Sequence, residues 1–234
     1  MHANRIIDEL KTFASQERKK TNMWFFKTGK GEYSEFDQFI GVRVPDTRKV
    51  AKKYFQTTNL DEISKLLKYE IHEVRHLGLI MLVHKYQTAD KDLIFDFYLD
   101  NLNAANNWDL IDTTIPPIIG DYIFNHPNKL SILLDHAKST DLWKKRIAIV
   151  ATFAFIKNNQ FKPTFEIAKL LLKDSHDLIH KATGWMLREV YKKDNQACEA
   201  FLKQNYAQLS RTTLRYAIER MPEDQRQCYL KGEF

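Results

Sequence analysis

Glycine and proline are scarce in this chain, at seven and six residues among 234. A sandwich or barrel of many short strands needs more turn punctuation than that, so long helices are favoured. Cysteine is scarcer still. Cys198 and Cys228 sit close together late in the chain at no metal-ligand spacing, so no disulfide framework is implied and both are expected as reduced thiols in a cytosolic protein. Long apolar runs are also missing: the longest, Ile147 to Ile156, falls well short of the roughly 20 residues that cross a bilayer. The stretch from Met1 to Lys20 alternates acidic, basic and apolar residues and lacks the apolar centre of a signal peptide. These absences predict a cytoplasmic protein with no membrane partner.

What is present fits a helical protein with a polyanionic partner. Hydrophobic residues make up 44%, enough to exclude disorder, and 36 Lys and Arg against 30 acids give a formal charge of +6. A basic balance suits nucleic acid when the cations share a face. The length suffices for one sizeable core or one elongated repeat array, and a single domain over 1–234 is expected.

Residues 4 to 20 carry Ile6, Ile7, Leu10, Phe13 and Ala14 as a helical stripe. An aromatic cluster, Trp24-Phe25-Phe26, then runs into Gly29-Lys30-Gly31, whose spacing is not that of a P-loop. Pro45 marks the first turn of a further helix. From residue 60 the chain repeats itself, each unit reading as an amphipathic helix, a polar turn and a more apolar helix. The second helices align through Arg75, Ile111, Arg146 and Lys181, in steps of 36, 35 and 35 residues, and a shorter unit from Arg211 to Met221 closes the series. Equal steps of that length mark a helical solenoid, because a lone pair cannot bury its apolar face and stacked pairs share a core. The expectation is an all-α, curved solenoid, with 1–59 as N-terminal helices and loop and 60–234 as repeats of about 35 residues. Arg75, Arg146 and Lys181 would then place cations at intervals along a concave groove, with solvated surface charge as the alternative.

Two stretches could carry chemistry. His72-Glu73-Val74-Arg75-His76 matches H-E-x-x-H, which on a helix would set two imidazoles on one face with Glu73 as general base for a zinc-bound water. A third ligand is missing from the surrounding sequence, and the repeat makes this helix one of several equivalents, so a structural role is favoured and no metal is expected. The other stretch is Asn106-Asn107-Trp108-Asp109-Leu110-Ile111-Asp112. Asn106 or Asn107 is a credible N-cap, which puts Trp108 and Asp109 in the first turn and Asp112 a turn further on. An acid in the first turn is favoured by the helix dipole, and Asp109 fits that bland role. Asp112 falls where neighbouring repeats hold apolar or small residues, beside the cationic register. An acid there is out of place unless something cationic comes to it.

Phe39-Ile40-Gly41-Val42 with Pro45 and Arg48, Asn107-Trp108-Asp109 to Asp112 with Pro116 and Gly120-Asp121, Leu142-Trp143 through Arg146, and Lys181-Ala182-Thr183-Gly184-Trp185 with Leu187-Arg188-Glu189 occur in that order. Together they resemble the AlkD family of bacterial DNA alkylation repair glycosylases, built from HEAT-like helical repeats. The likeness covers about residues 20 to 230. It implies that Asp112 is the catalytic carboxylate, that Trp108, Trp185 and Phe25 line the lesion site, and that Arg146 contacts a backbone phosphate. Trp24 stands where a more polar residue is expected.

The reaction so implied is excision of positively charged N3- or N7-alkylated purines, such as 3-methyladenine and 7-methylguanine, from double-stranded DNA. A carboxylate near C1′ stabilises the oxocarbenium character of the departing sugar and orients the attacking water. Aromatic faces favour a cationic base modestly. Arg146, Lys181, Arg188, Arg48 and Arg75 would hold phosphates. No cofactor is required, no lysine is placed as a Schiff-base nucleophile, and a monomer is expected. The competing readings are a non-catalytic helical-repeat protein that binds damaged or branched DNA, a zinc hydrolase at His72 and His76, and a protein-binding scaffold.

Overall fold

The computed structural model describes residues 2–234. Regular structure among them is helical, with one isolated parallel bridge between Gln38 and Ile71. The chain forms two compact units, one running to Thr114 and the other from Ile115 to Phe234.

The repeat register is visible as helix pairs. The first members are Leu60–Leu67, Lys91–Asp100, Leu130–Ala137, Lys162–Leu171 and Asn195–Asn205; the second are His72–Thr88, Trp108–Thr114, Leu142–Ala151, Asp177–Tyr191 and Arg211–Ala217. Short polar side chains set many of these starts by accepting an orphan backbone N–H: Asn59 takes that of Glu62, Asp141 that of Lys144, Asp194 that of Ala197 and Ser210 that of Thr213. The second helices bury more apolar side chains than the first, including Val74, Leu77 and Met81 in the first unit and Ile147, Ile179 and Met186 in the second. Gly184 permits a close approach in the second unit: a Cβ there would lie 2.5 Å from the Thr213 carbonyl oxygen. Any larger residue would force the Asp177–Tyr191 and Arg211–Ala217 helices apart.

The stripe over residues 4–20 is two helices, His2–Lys11 and Gln16–Phe25. The break comes from Ser15, whose N–H donates to the Ile40 carbonyl at 3.1 Å and whose hydroxyl accepts from the Arg18 N–H. That long-range bond redirects the chain, so the aromatic cluster Trp24–Phe26 ends a helix of its own. Pro45 lies in the first turn of Val44–Tyr54, where its missing N–H costs nothing. No helix among the described residues is long and apolar enough to cross a membrane.

Candidate functional site

The first unit holds a stack of rings. Phe39 lies on His72 (4.5 Å between centroids), Phe26 on Phe39 (4.9 Å), and Trp108 on Phe26 (5.2 Å), with Phe25 edge-on to Trp108 at 5.6 Å. Phe39 and His72 are buried, Trp108 is partly exposed and Phe25 is exposed. The stack therefore grades from core to surface, and Trp108 and Phe25 form its outer end. Edge-on and offset rings of this kind contribute roughly 0.5–1.5 kcal/mol per pair beyond the area they bury.

Asp112 stands four residues after Trp108 on the same short helix and is partly exposed. At that spacing, side chains are neighbours on one helical face, about 5–6 Å apart at Cβ. A carboxylate and an indole are thus presented together from a single turn and a half of backbone.

A buried polar network holds the start of this helix. Asn107 is fully buried; its side-chain oxygen accepts from the Trp108 N–H at 2.8 Å, and its Nδ2 donates to Ser34 Oγ at 2.6 Å and Asp37 Oδ2 at 3.0 Å. Asp37 also accepts from the Arg75 guanidinium. His72 spans the two acids, with Nε2 2.8 Å from Asp109 and Nδ1 3.3 Å from Asp37. Two carboxylates, an imidazole and a guanidinium make the quartet charge-balanced when His72 is protonated. Burial opposes the imidazolium, but the charges and bonds of Asp109 and Asp37 outweigh it and push His72 up to about 9. Asp37 and Asp109 are held below the usual carboxylate range for the reciprocal reason: burial works against ionisation, and His72 overcomes it with help from Arg75 at Asp37. His76, one turn on, is pushed down to about 4 by burial, and its Nε2 has no hydrogen-bond partner.

Of the H-E-x-x-H residues, His72 and Glu73 are therefore engaged elsewhere. Both nitrogens of His72 face carboxylates, and Glu73 accepts the backbone N–H groups of Ile40, Gly41 and Val42 at 2.8–3.3 Å. Gly41 adopts φ +78, and a Cβ there would fall 2.2 Å from the Ser15 carbonyl oxygen. The glycine lets the 39–42 segment wrap Glu73 while touching the Gln16–Phe25 helix. No group of three or more His, Cys, Asp or Glu side chains that could hold a metal occurs among the described residues.

The expected phosphate contacts divide. Arg75 is 7% exposed and binds Asp37, Asn106 and the carbonyls of Tyr69 and Glu70. Its two terminal nitrogens are engaged inside the first unit, where they brace the start of the Trp108 helix, while its Nε is buried without a partner. Arg48 is exposed on the Val44–Tyr54 helix. In the second unit Arg146 is buried and donates to the Leu178 carbonyl at 2.7 Å, tying Leu142–Ala151 to the start of Asp177–Tyr191. Lys181 pairs with Asp177 at 2.7 Å, and Arg188 pairs with Glu219. Trp185 is partly exposed, donates its indole N–H to Glu189 at 3.2 Å and lies 6.1 Å from the Phe153 ring.

Sequence reasoning missed Phe26, Ser34 and Asp37, which build the site from its second layer. Their only sequence signal is position: each lies in or just after the aromatic, glycine-bearing stretch that breaks the helical pattern.

A family model described as DNA alkylation repair enzyme matches residues 6–221. Among solved structures, a predicted DNA alkylation repair enzyme from Enterococcus faecalis is similar with a TM-score of 0.71, at 15% identity, over 90% of this chain and 97% of that one. At that identity the likeness is one of fold. No curated protein matches this chain. With the family model spanning nearly all of the sequence, the chain belongs to the family of DNA alkylation repair enzymes.

Proposed function

We propose that the chain is a monofunctional DNA glycosylase that hydrolyses the N-glycosidic bond of positively charged N3- and N7-alkylated purines. The reading is carried by one observation: in a member of the DNA alkylation repair enzyme family, a partly exposed Trp108 and a partly exposed Asp112 are presented from the same helical face.

Alkylation makes the base a cationic leaving group, so the enzyme need only lower the barrier of a bond already weakened. Asp112 stabilises positive charge developing at C1′ and orients the attacking water. Trp108 and Phe25 offer π faces to the charged nucleotide, favouring it over a neutral one by roughly 0.5–2 kcal/mol. That is too little to account for selectivity alone, so the lability of the lesion supplies most of the discrimination. Trp185 is proposed as a further aromatic contact. Arg48, Lys181 and Arg188 are proposed phosphate contacts, together with Arg146, whose orientation the Leu178 carbonyl fixes. The protein acts without cofactor or metal, as a monomer, on duplex DNA in the cytoplasm.

The test is release of 3-methyladenine and 7-methylguanine from alkylated duplex by wild type and by Asp112→Asn. Loss of one transition-state charge contact predicts a drop on the order of 10²–10³ in rate. Equal rates would overturn the assignment. The product is an intact strand with an abasic site, and a borohydride-trapped covalent complex would contradict the monofunctional reading.

A further inference from the structure

Phe36 is 91% exposed, the most exposed large apolar side chain among the described residues, yet its backbone is pinned on both sides. Ser34 and Asp37 are buried. Ser34 accepts from Asn107, and Asp37 from Asn107, His72 and Arg75. Main-chain bonds add to this: the Ser34 N–H donates to the Lys27 carbonyl at 3.1 Å, and the His72 N–H donates to that of Gln38 at 2.8 Å. A loop free to relax would fold such a ring onto nearby apolar surface. This loop is clamped to the core and holds the ring in water.

The same loop returns to the end of the Gln16–Phe25 helix, where Trp24 is 73% exposed. The charged side chains of this loop are engaged differently by sign. Glu32 and Glu35 turn back to accept the loop's own N–H groups, from Gly29 at 2.8 Å and Gly31 at 2.9 Å. Lys27 and Lys30 are exposed, with the Lys27 ammonium 5.7 Å from the Trp24 ring. The carboxylates are turned toward the loop's own backbone, and the ammonium groups of Lys27 and Lys30 extend into solvent.

We propose that Phe36 and Trp24 stack on unpaired DNA bases, with Lys27 and Lys30 against the neighbouring phosphates, so that this loop selects duplex that is locally melted. Every base has a π face, so aromatic platforms flanked by cations bind unpaired strands without reading sequence. A second copy of this chain would set the same lysines against each other, whereas DNA brings phosphates to them. The inference rests on DNA being the partner in the proposed function.

The test compares the full-length protein on an intact duplex and on the same duplex carrying a two-nucleotide bulge. Wild type is expected to favour the bulge by about tenfold, the scale of one base–aromatic stack. Phe36→Ala and Trp24→Ala should each lose most of that preference while binding the intact duplex as before, and Phe36→Trp should keep it. Wild type without a preference, alanine variants that retain it, or variants altered only in self-association by sedimentation would each overturn the inference. Base release from alkylated duplex is measured alongside. If wild type prefers the bulge but releases no methylated purine, the glycosylase reading falls and the stacking surface stands.

Discussion

The imidazole of His72 lies 2.8 Å from the carboxylate of Asp109, so the helix presenting Trp108 and Asp112 begins on a buried ion pair. Asp109 is thus engaged by the core, whereas Asp112, a turn further on, is partly exposed.

That pair makes stability depend on pH. His72 is raised from 6.5 to about 9 in the fold, so its contribution is fully present below pH 6.5 and lost as pH rises through 9. It is worth on the order of 3 kcal/mol. His76, lowered to about 4, acts oppositely: its contribution is present above pH 6.5 and lost as pH falls toward 4. Urea midpoints measured from pH 4 to 10 should therefore peak near pH 6.5. His76→Phe should flatten the acid limb above pH 4; an unchanged limb would refute this account.

Arg75 and Lys181 share a repeat register but should differ in every assay. Arg75→Met leaves Asp37 buried without its guanidinium, a loss of about 3–5 kcal/mol, with no change in the salt dependence of DNA binding for whatever protein remains folded. Lys181→Ala should keep its stability and reduce the slope of log K against log salt by about one. A reduced slope in Arg75→Met would return that residue to the interface.

Glu73→Gln removes the charge that gathers three backbone N–H groups and should cost about 2–3 kcal/mol. Gly41→Ala meets the Ser15 carbonyl at 2.2 Å and requires φ +78 of an L side chain, so its loss should be at least as large. Chemical denaturation reads both. A zinc role for the same motif predicts something else, activity abolished by a chelator; base release is expected to survive prolonged EDTA treatment.

The helix pairs were legible because burial imposes period and stacking imposes repetition. The starts at His72, Trp108, Leu142, Asp177 and Arg211 fall 34–36 residues apart, close to the steps read from Arg75 to Lys181. Placing Trp108 and Asp112 on one helical face also needed only local spacing. What the sequence concealed is non-local. Arg75 and Lys181 look alike in one dimension, and only the fold reveals that Asp37, 38 residues away, claims the first. The break at Ser15 depends on the Ile40 carbonyl, so no pattern within residues 4–20 could announce it. Phe36 reads from sequence as one more loop aromatic, and its clamped exposure follows from bonds to Asn107, His72 and Arg75.

The Glu73 carboxylate has a kinetic consequence as well. The segment from Ser15 to Val42 contains the Gln16–Phe25 helix and the pinned loop, and its anchors are mostly distant in sequence: Glu73, His72, Arg75 and Asn107. Such contacts close only after the His72–Thr88 helix exists, since long loops must be ordered before they are rewarded. The segment should therefore dock late and open early, as one cooperative unit. In native-state hydrogen exchange, the Ile40, Gly41 and Val42 amides should share a single opening free energy, below that of the helix they grip.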